Sequence, residues 1–214
     1  MKSASICLIL ATPLWAETVS INFPGNAGAD GTVAPNDTAG VVESPNWNNI
    51  TQPATALVDS SGNATPITIA FTVGGWSNNL IENTTPNHRL MTGYLDIGGT
   101  TAATVTLNQL DPSKTYRIYI YSDGENTNQN APVSRTGTFT VGSTATGITD
   151  TAGEQFEGTF KRVFPGTTGE GNYSEFTVTG AASYSIVARA TAADGVDNVF
   201  RAPINAIQIV ESPE

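Results

Sequence analysis

A chain of 214 residues with 21 glycines, 12 prolines and only 13% charged residues is long enough for one sizeable core and poor material for long helices. Nineteen acidic residues against nine basic ones, a net charge of −10, exclude a general nucleic-acid binder, because neutralising phosphates takes clustered Lys and Arg. One histidine and one cysteine exclude ordinary zinc clusters.

The first sixteen residues read as an export signal. Met1-Lys2-Ser3 is a short basic start, and Ala4 to Leu14 is an apolar run well short of the ~20 residues that cross a bilayer. Leu14-Trp15-Ala16 offers a cleavage point before the polar switch at Glu17-Thr18. Cys7 lies inside this segment, so residues 17–214 contain no cysteine and no disulfide staples them. No later stretch is apolar over a membrane length. The expectation is a signal peptide at 1–16, then one secreted domain at 17–214 that does not span a membrane.

From Glu17 onward apolar residues recur with period two. Val19, Ile21 and Phe23 open the pattern. Arg89 to Asp96 reads as a strand, with Leu90, Thr92, Tyr94 and Asp96 on one face and His88 joining them by parity. Tyr116, Ile118 and Ile120 alternate with Arg117, Tyr119 and Tyr121, giving one aliphatic face and one tyrosine face. Phe139 and Val141, then Phe176 and Val178, then Tyr184, Ile186 and Ala188 continue it. Ile204 to Val210 is apolar on both faces, as a central strand is. Turn chemistry separates the runs at Asp59-Ser60-Ser61-Gly62, Asp111-Pro112-Ser113-Lys114 and Ser122-Asp123-Gly124. Many short strands without helical crossovers predict an all-β fold, an antiparallel β-sandwich of the jelly-roll type.

Thr104 to Gly124 and Glu175 to Gly195 echo each other as strand, turn, tyrosine-led strand and Asp-Gly, and read as two hairpins of one sandwich. Three stretches lack strand signal: Pro24 to Asp37, Asn78 to Asn87 and Gly124 to Val133. Long loops in a compact domain are often functional.

Ile21-Asn22-Phe23, Ala39-Gly40-Val41-Val42, Asn46-Trp47-Asn48-Asn49, Arg89 to Asp96 and Ile204-Asn205-Ala206-Ile207-Gln208-Ile209 resemble motifs of a group of exported bacterial proteins. The Ile-Asn-Phe opening and the Ile-Asn-Ala-Ile-Gln-Ile close also look like the first and last strands of malectin-like and galactose-binding-like sandwiches. That resemblance implies a carbohydrate-binding sandwich whose terminal strands lie side by side.

Aromatic residues in polar loops fit such a role, since sugars pack flat C–H faces on rings while Asp, Asn and Arg receive hydroxyls. Trp47 and Trp76 are each either a stacking platform or a plug closing the core. The selected contact residues are Trp76, Tyr94, Asp96, Tyr121, Asp123 and Asn126, with Trp76 as platform. The run Asp123 to Asn130 is rich in oxygen ligands and suits either Ca²⁺ or a solvated hairpin loop; Asp194 to Asn198 is a second such run. The leading expectation is a secreted, non-catalytic binder of extracellular or cell-surface glycans, neutral ones in preference to acidic ones. A self-associating matrix or fibre subunit is one alternative. The other is a glycan-active hydrolase or lyase, using His88 with Tyr94 or Asp123 with Asp96 or Glu125.

Overall fold

The computed structural model describes residues 17–99, 101–128, 131–132, 134–193 and 200–213. The export signal expected at 1–16 lies outside these residues, as does the oxygen-rich run at 194–198. In chain order the elements are β1 (Thr18–Asn22), β2 (Asn48–Asn49), β3 (Thr68–Ala70), β4 (Gly75–Ser77), helix α1 (Pro86–Thr92), β5 (Gly93–Leu95) and β6 (Ala103–Asn108). They continue with β7 (Thr115–Tyr121), β8 (Thr127–Asn128), β9 (Ala131–Pro132), β10 (Arg135–Val141), β11 (Thr144–Asp150), β12 (Thr168–Glu170), β13 (Tyr173–Thr179), β14 (Ser183–Ala193) and β15 (Ala206–Glu211).

Two sheets form the sandwich. One runs β13-β7-β15-β1-β2 and the other β12-β11-β10-β14-β6-β3. Pairing is antiparallel except at the short edge contacts β1–β2 and β11–β12. Ile118, Ile120, Ile207 and Ile209 from the first sheet meet Val105, Leu107, Phe139 and Ile186 from the second in a dry core. β15 is central, flanked by β7 and β1, which explains why its run is apolar on both faces. The first and last strands therefore pair along their length, from Thr18↔Val210 to Asn22↔Ala206.

The tyrosine face of β7 does not meet solvent. Tyr119 and Tyr121 belong to a second core on the outer side of the five-stranded sheet, with Val33, Trp47, Leu90, Met91 and Phe156. Loops and α1 form this third layer. Trp47 is buried there, and its indole N–H donates to the Ser44 carbonyl at 2.8 Å.

Two sequence expectations need correction. The segment expected as a strand from Arg89 begins as helix α1: the Thr85 side chain caps it by accepting from the His88 amide, and Pro86 supplies a preset φ in its first turn. Only Gly93–Leu95 is strand, so His88 does not share a strand face with Tyr94 and Asp96. The two echoing units are also not hairpins. β6 and β14 lie in one sheet while β7 and β13 lie in the other, so each unit arches across the sandwich. The arches pair with each other, β14 on β6 and β13 on β7.

Candidate functional site

The ends of β1, β7 and β11 and the starts of β10, β13 and β15 converge at one end of the sandwich. The long loops gather there. Asn22 in β1 donates to the Gly31 carbonyl at 2.7 Å, Asn83 to Asp30 at 2.9 Å, and Arg89 forms an ion pair with Asp37. Asn205, fully buried just before β15, donates to the carbonyls of Met91 (2.7 Å) and Gly93 (3.0 Å) and accepts from the Asp123 amide (2.7 Å). One side chain thus locks α1, β5 and the loop after β7 together.

A cleft of about 340 Å³ opens at this end. Asp123 and Asp150 line it together with Glu154, Gln155, Phe156 and Lys161. Asn126 organises the wall: the two N–H groups of its amide are shared among Asp150 at 2.8 Å and the carbonyls of Thr151 and Glu154, and its oxygen accepts from Gln155 at 2.8 Å. Asn78 carries the network on, donating to Gln155 at 2.7 Å and to the Gly124 carbonyl at 3.1 Å.

The cleft holds a carboxyl pair, with Asp123 buried and Asp150 half-buried. Asp150 accepts from the Gly124 amide at 3.1 Å and from Asn126, yet burial still pushes its carboxyl up to about 7. Asp123 is also raised well above the ordinary carboxyl range, first by burial and then by the charge of Asp150, and its Oδ1 is buried without a hydrogen-bond partner. Near neutral pH the pair retains a proton. Arg135 sits directly across the strand pair from Asp150 and favours its ionised form.

Trp76 lies two residues before Asn78, on β4, opposite Tyr94 on β5. It is 48% exposed, one of three large exposed hydrophobic residues among the described residues, with Leu80 and Phe164. Gly25 lets a neighbouring loop press on this strand, since a β-carbon there would stand 1.8 Å from the Trp76 carbonyl oxygen. Tyr94 is buried; burial raises its hydroxyl well above the usual phenol range, and the Glu125 backbone lies near it.

The selected residues therefore separate into three places. Trp76, Tyr94, Asp123 and Asn126 belong to one connected region, through Asn78, Glu125 and Gln155. Asp96 pairs with Arg201 at 3.2 Å and borders a different groove, with Gly98 and Thr104. Tyr121 lies in the second core, its hydroxyl donating to Gln208 and accepting from the Val41 amide at 2.7 Å. His88 packs edge-on against Phe156, with ring centroids 5.7 Å apart, and its Nδ1 meets the Thr85 hydroxyl at 2.7 Å. Among the described residues no group of three or more His, Cys, Asp or Glu side chains is placed to hold a metal ion. Part of the oxygen-rich run proposed for calcium, Gln129 and Asn130, lies outside them.

Sequence reasoning missed Asp150, Gln155 and Asn205. Asp150 was findable: Thr146, Ile148 and Asp150 share a parity, so a strand that buries Ile148 turns the carboxyl inward. Gln155 carries no comparable signal.

No protein-family model and no curated protein matches the chain. Among solved structures, the ectodomain of ANX2 from Arabidopsis thaliana superposes over 92% of this chain with a TM-score of 0.51 at 11% identity. This chain spans 50% of that one, so the likeness is of fold. TmCBM61, solved in complex with beta-1,4-galactotriose, covers 69% of this chain and 85% of its own, with a TM-score of 0.24 and 9% identity. Among the described residues no helix is long and apolar enough to cross a membrane.

Proposed function

We propose that this chain is an exported, non-catalytic glycan-binding β-sandwich whose site is the cleft and the exposed face of Trp76 beside it. The observation that supports this reading most is an exposed tryptophan two residues before Asn78, whose amide bonds the Gln155 wall of a polar cleft. Ligand sites combine an apolar contact surface with a few convergent polar groups, and sugars demand both. Trp76 is the stacking platform, Asp123 faces the ligand, and Asn126 braces the wall behind it.

A glycan array probed with residues 17–214, with calcium and again with a chelator, tests the reading. Specific binding that falls at least tenfold in Trp76→Ala, with the fold unchanged by circular dichroism, is the expected result. Absence of binding to every glycan, or full binding by the variant, overturns it. Calcium has no assigned role in this site, so chelation is expected to leave binding unchanged. Export is tested separately: amino-terminal sequencing of secreted material should begin at Glu17.

A further inference from the structure

We propose that the carboxyls of Asp123 and Asp150 on the floor of the cleft form a subsite for an ammonium group, the free amine of a de-N-acetylated amino sugar. This deepens the glycan-binding reading and rests on it. Its geometric basis is the buried Oδ1 of Asp123, which has no hydrogen-bond partner although the residue lines the cleft. An unpaired polar atom in that position costs stability unless something binds it.

Charge accounting selects the partner. Arg135, across from Asp150, favours the ionised form of that carboxyl. If both carboxyls ionise, negative charge accumulates where solvent is largely excluded, which a low-dielectric surrounding penalises heavily. A proton removes that charge in the empty cleft, and a bound cation removes it in the filled one. The other charged groups nearby do not supply the cation. Glu154 and Glu157 follow β11 and line the cleft, Glu125 follows Asp123, and all three are acidic. Lys161 is paired with Glu170 at 3.4 Å and Arg201 with Asp96 at 3.2 Å.

An ammonium fits better than a metal ion. It needs about three acceptors around its N–H bonds, whereas Ca²⁺ takes six to eight oxygens, and the described carboxylates are not clustered to provide them. Binding then exchanges a proton for the ammonium: the proton held by the carboxyl pair leaves to buffer as the N⁺–H groups take its place. No covalent bond is made or broken.

Calorimetric titration with the glucosamine tetramer, the N-acetylglucosamine tetramer and cellotetraose, at pH 6 in two buffers of different ionisation enthalpy, tests this. The expected result is affinity for the glucosamine tetramer at least tenfold above either neutral oligomer, with a net release of protons as the site fills. In Asp123→Asn the preference and the proton release both disappear, while Trp76→Ala weakens every oligomer alike. Equal affinity for aminated and acetylated tetramers overturns the ammonium subsite and leaves glycan binding standing, as does tighter binding of the aminated tetramer without proton release. Failure of all three oligomers and of the glycan array overturns both. The proton count on the unaltered protein needs no variant, so a variant that fails to fold does not spare the proposal.

Discussion

Tyr121 shows how a single hydroxyl can look like a ligand contact in sequence and act as a structural bolt. Its neighbours in the strand suggest an exposed aromatic face, but the oxygen is already shared between Gln208 and the Val41 amide in the interior. Tyr121→Phe leaves a buried amide without its acceptor, so a loss of about 1–3 kcal/mol is expected in denaturant unfolding, with glycan affinity unchanged. Asp150 behaves in the opposite sense. Its carboxyl is raised from the ordinary 3.8 to about 7, so between those values the folded protein holds more protons than the unfolded chain. Stability is therefore greatest at the acid end of that window and declines as pH rises through it. Thermal unfolding should give a higher midpoint at pH 5 than at pH 7.5, and Asp150→Asn should flatten the slope. A midpoint that rises with pH over this range would contradict the assignment.

At the scale of elements, the strands were legible and the layer outside them was not. Period-two alternation placed β1, β7, β10, β13 and β14, and a run apolar on both faces placed β15, because each has a face against the main core, where residues two apart share an environment. Segment 86–92 misled because Leu90 and Met91 are consecutive and both buried, as a short helix lying flat on a sheet allows and a half-exposed strand does not. The informative signal was Thr85-Pro86, a cap followed by a residue suited to the first turn. Thr85→Ala should cost about 1 kcal/mol. Denaturant unfolding reads that loss, and unchanged stability would count against the cap; the His88 Nδ1 keeps the Thr84 hydroxyl, 3.1 Å away, as a partner. The echoing arches were visible as repeated words in the sequence, but which sheet each strand enters depends on partners far away in the chain. Asn205 escaped notice for the same reason: an amide in an apolar strand motif says that something is held there, not what.

For the whole molecule, the sandwich and its paired terminal strands followed from composition, turn spacing and the two end motifs. The site did not, because it is assembled from loops after β7 and β11 and from the strand carrying Trp76, segments that no local pattern connects. The pairing of β1 with β15 has a further consequence. Thr18 lies opposite Val210, and the Glu211 amide donates to the Glu17 carbonyl at 2.9 Å, at the end of these strands remote from the cleft. A short flexible peptide joining the two ends would close the backbone into a ring with little strain. Fresh ends cut at Gly142-Ser143, an exposed turn where a β-carbon on the glycine meets nothing, would also fall away from the cleft. Such a circular permutant should fold to the same sandwich and keep its ligand, freeing the chain to be inserted within another protein rather than only appended to it.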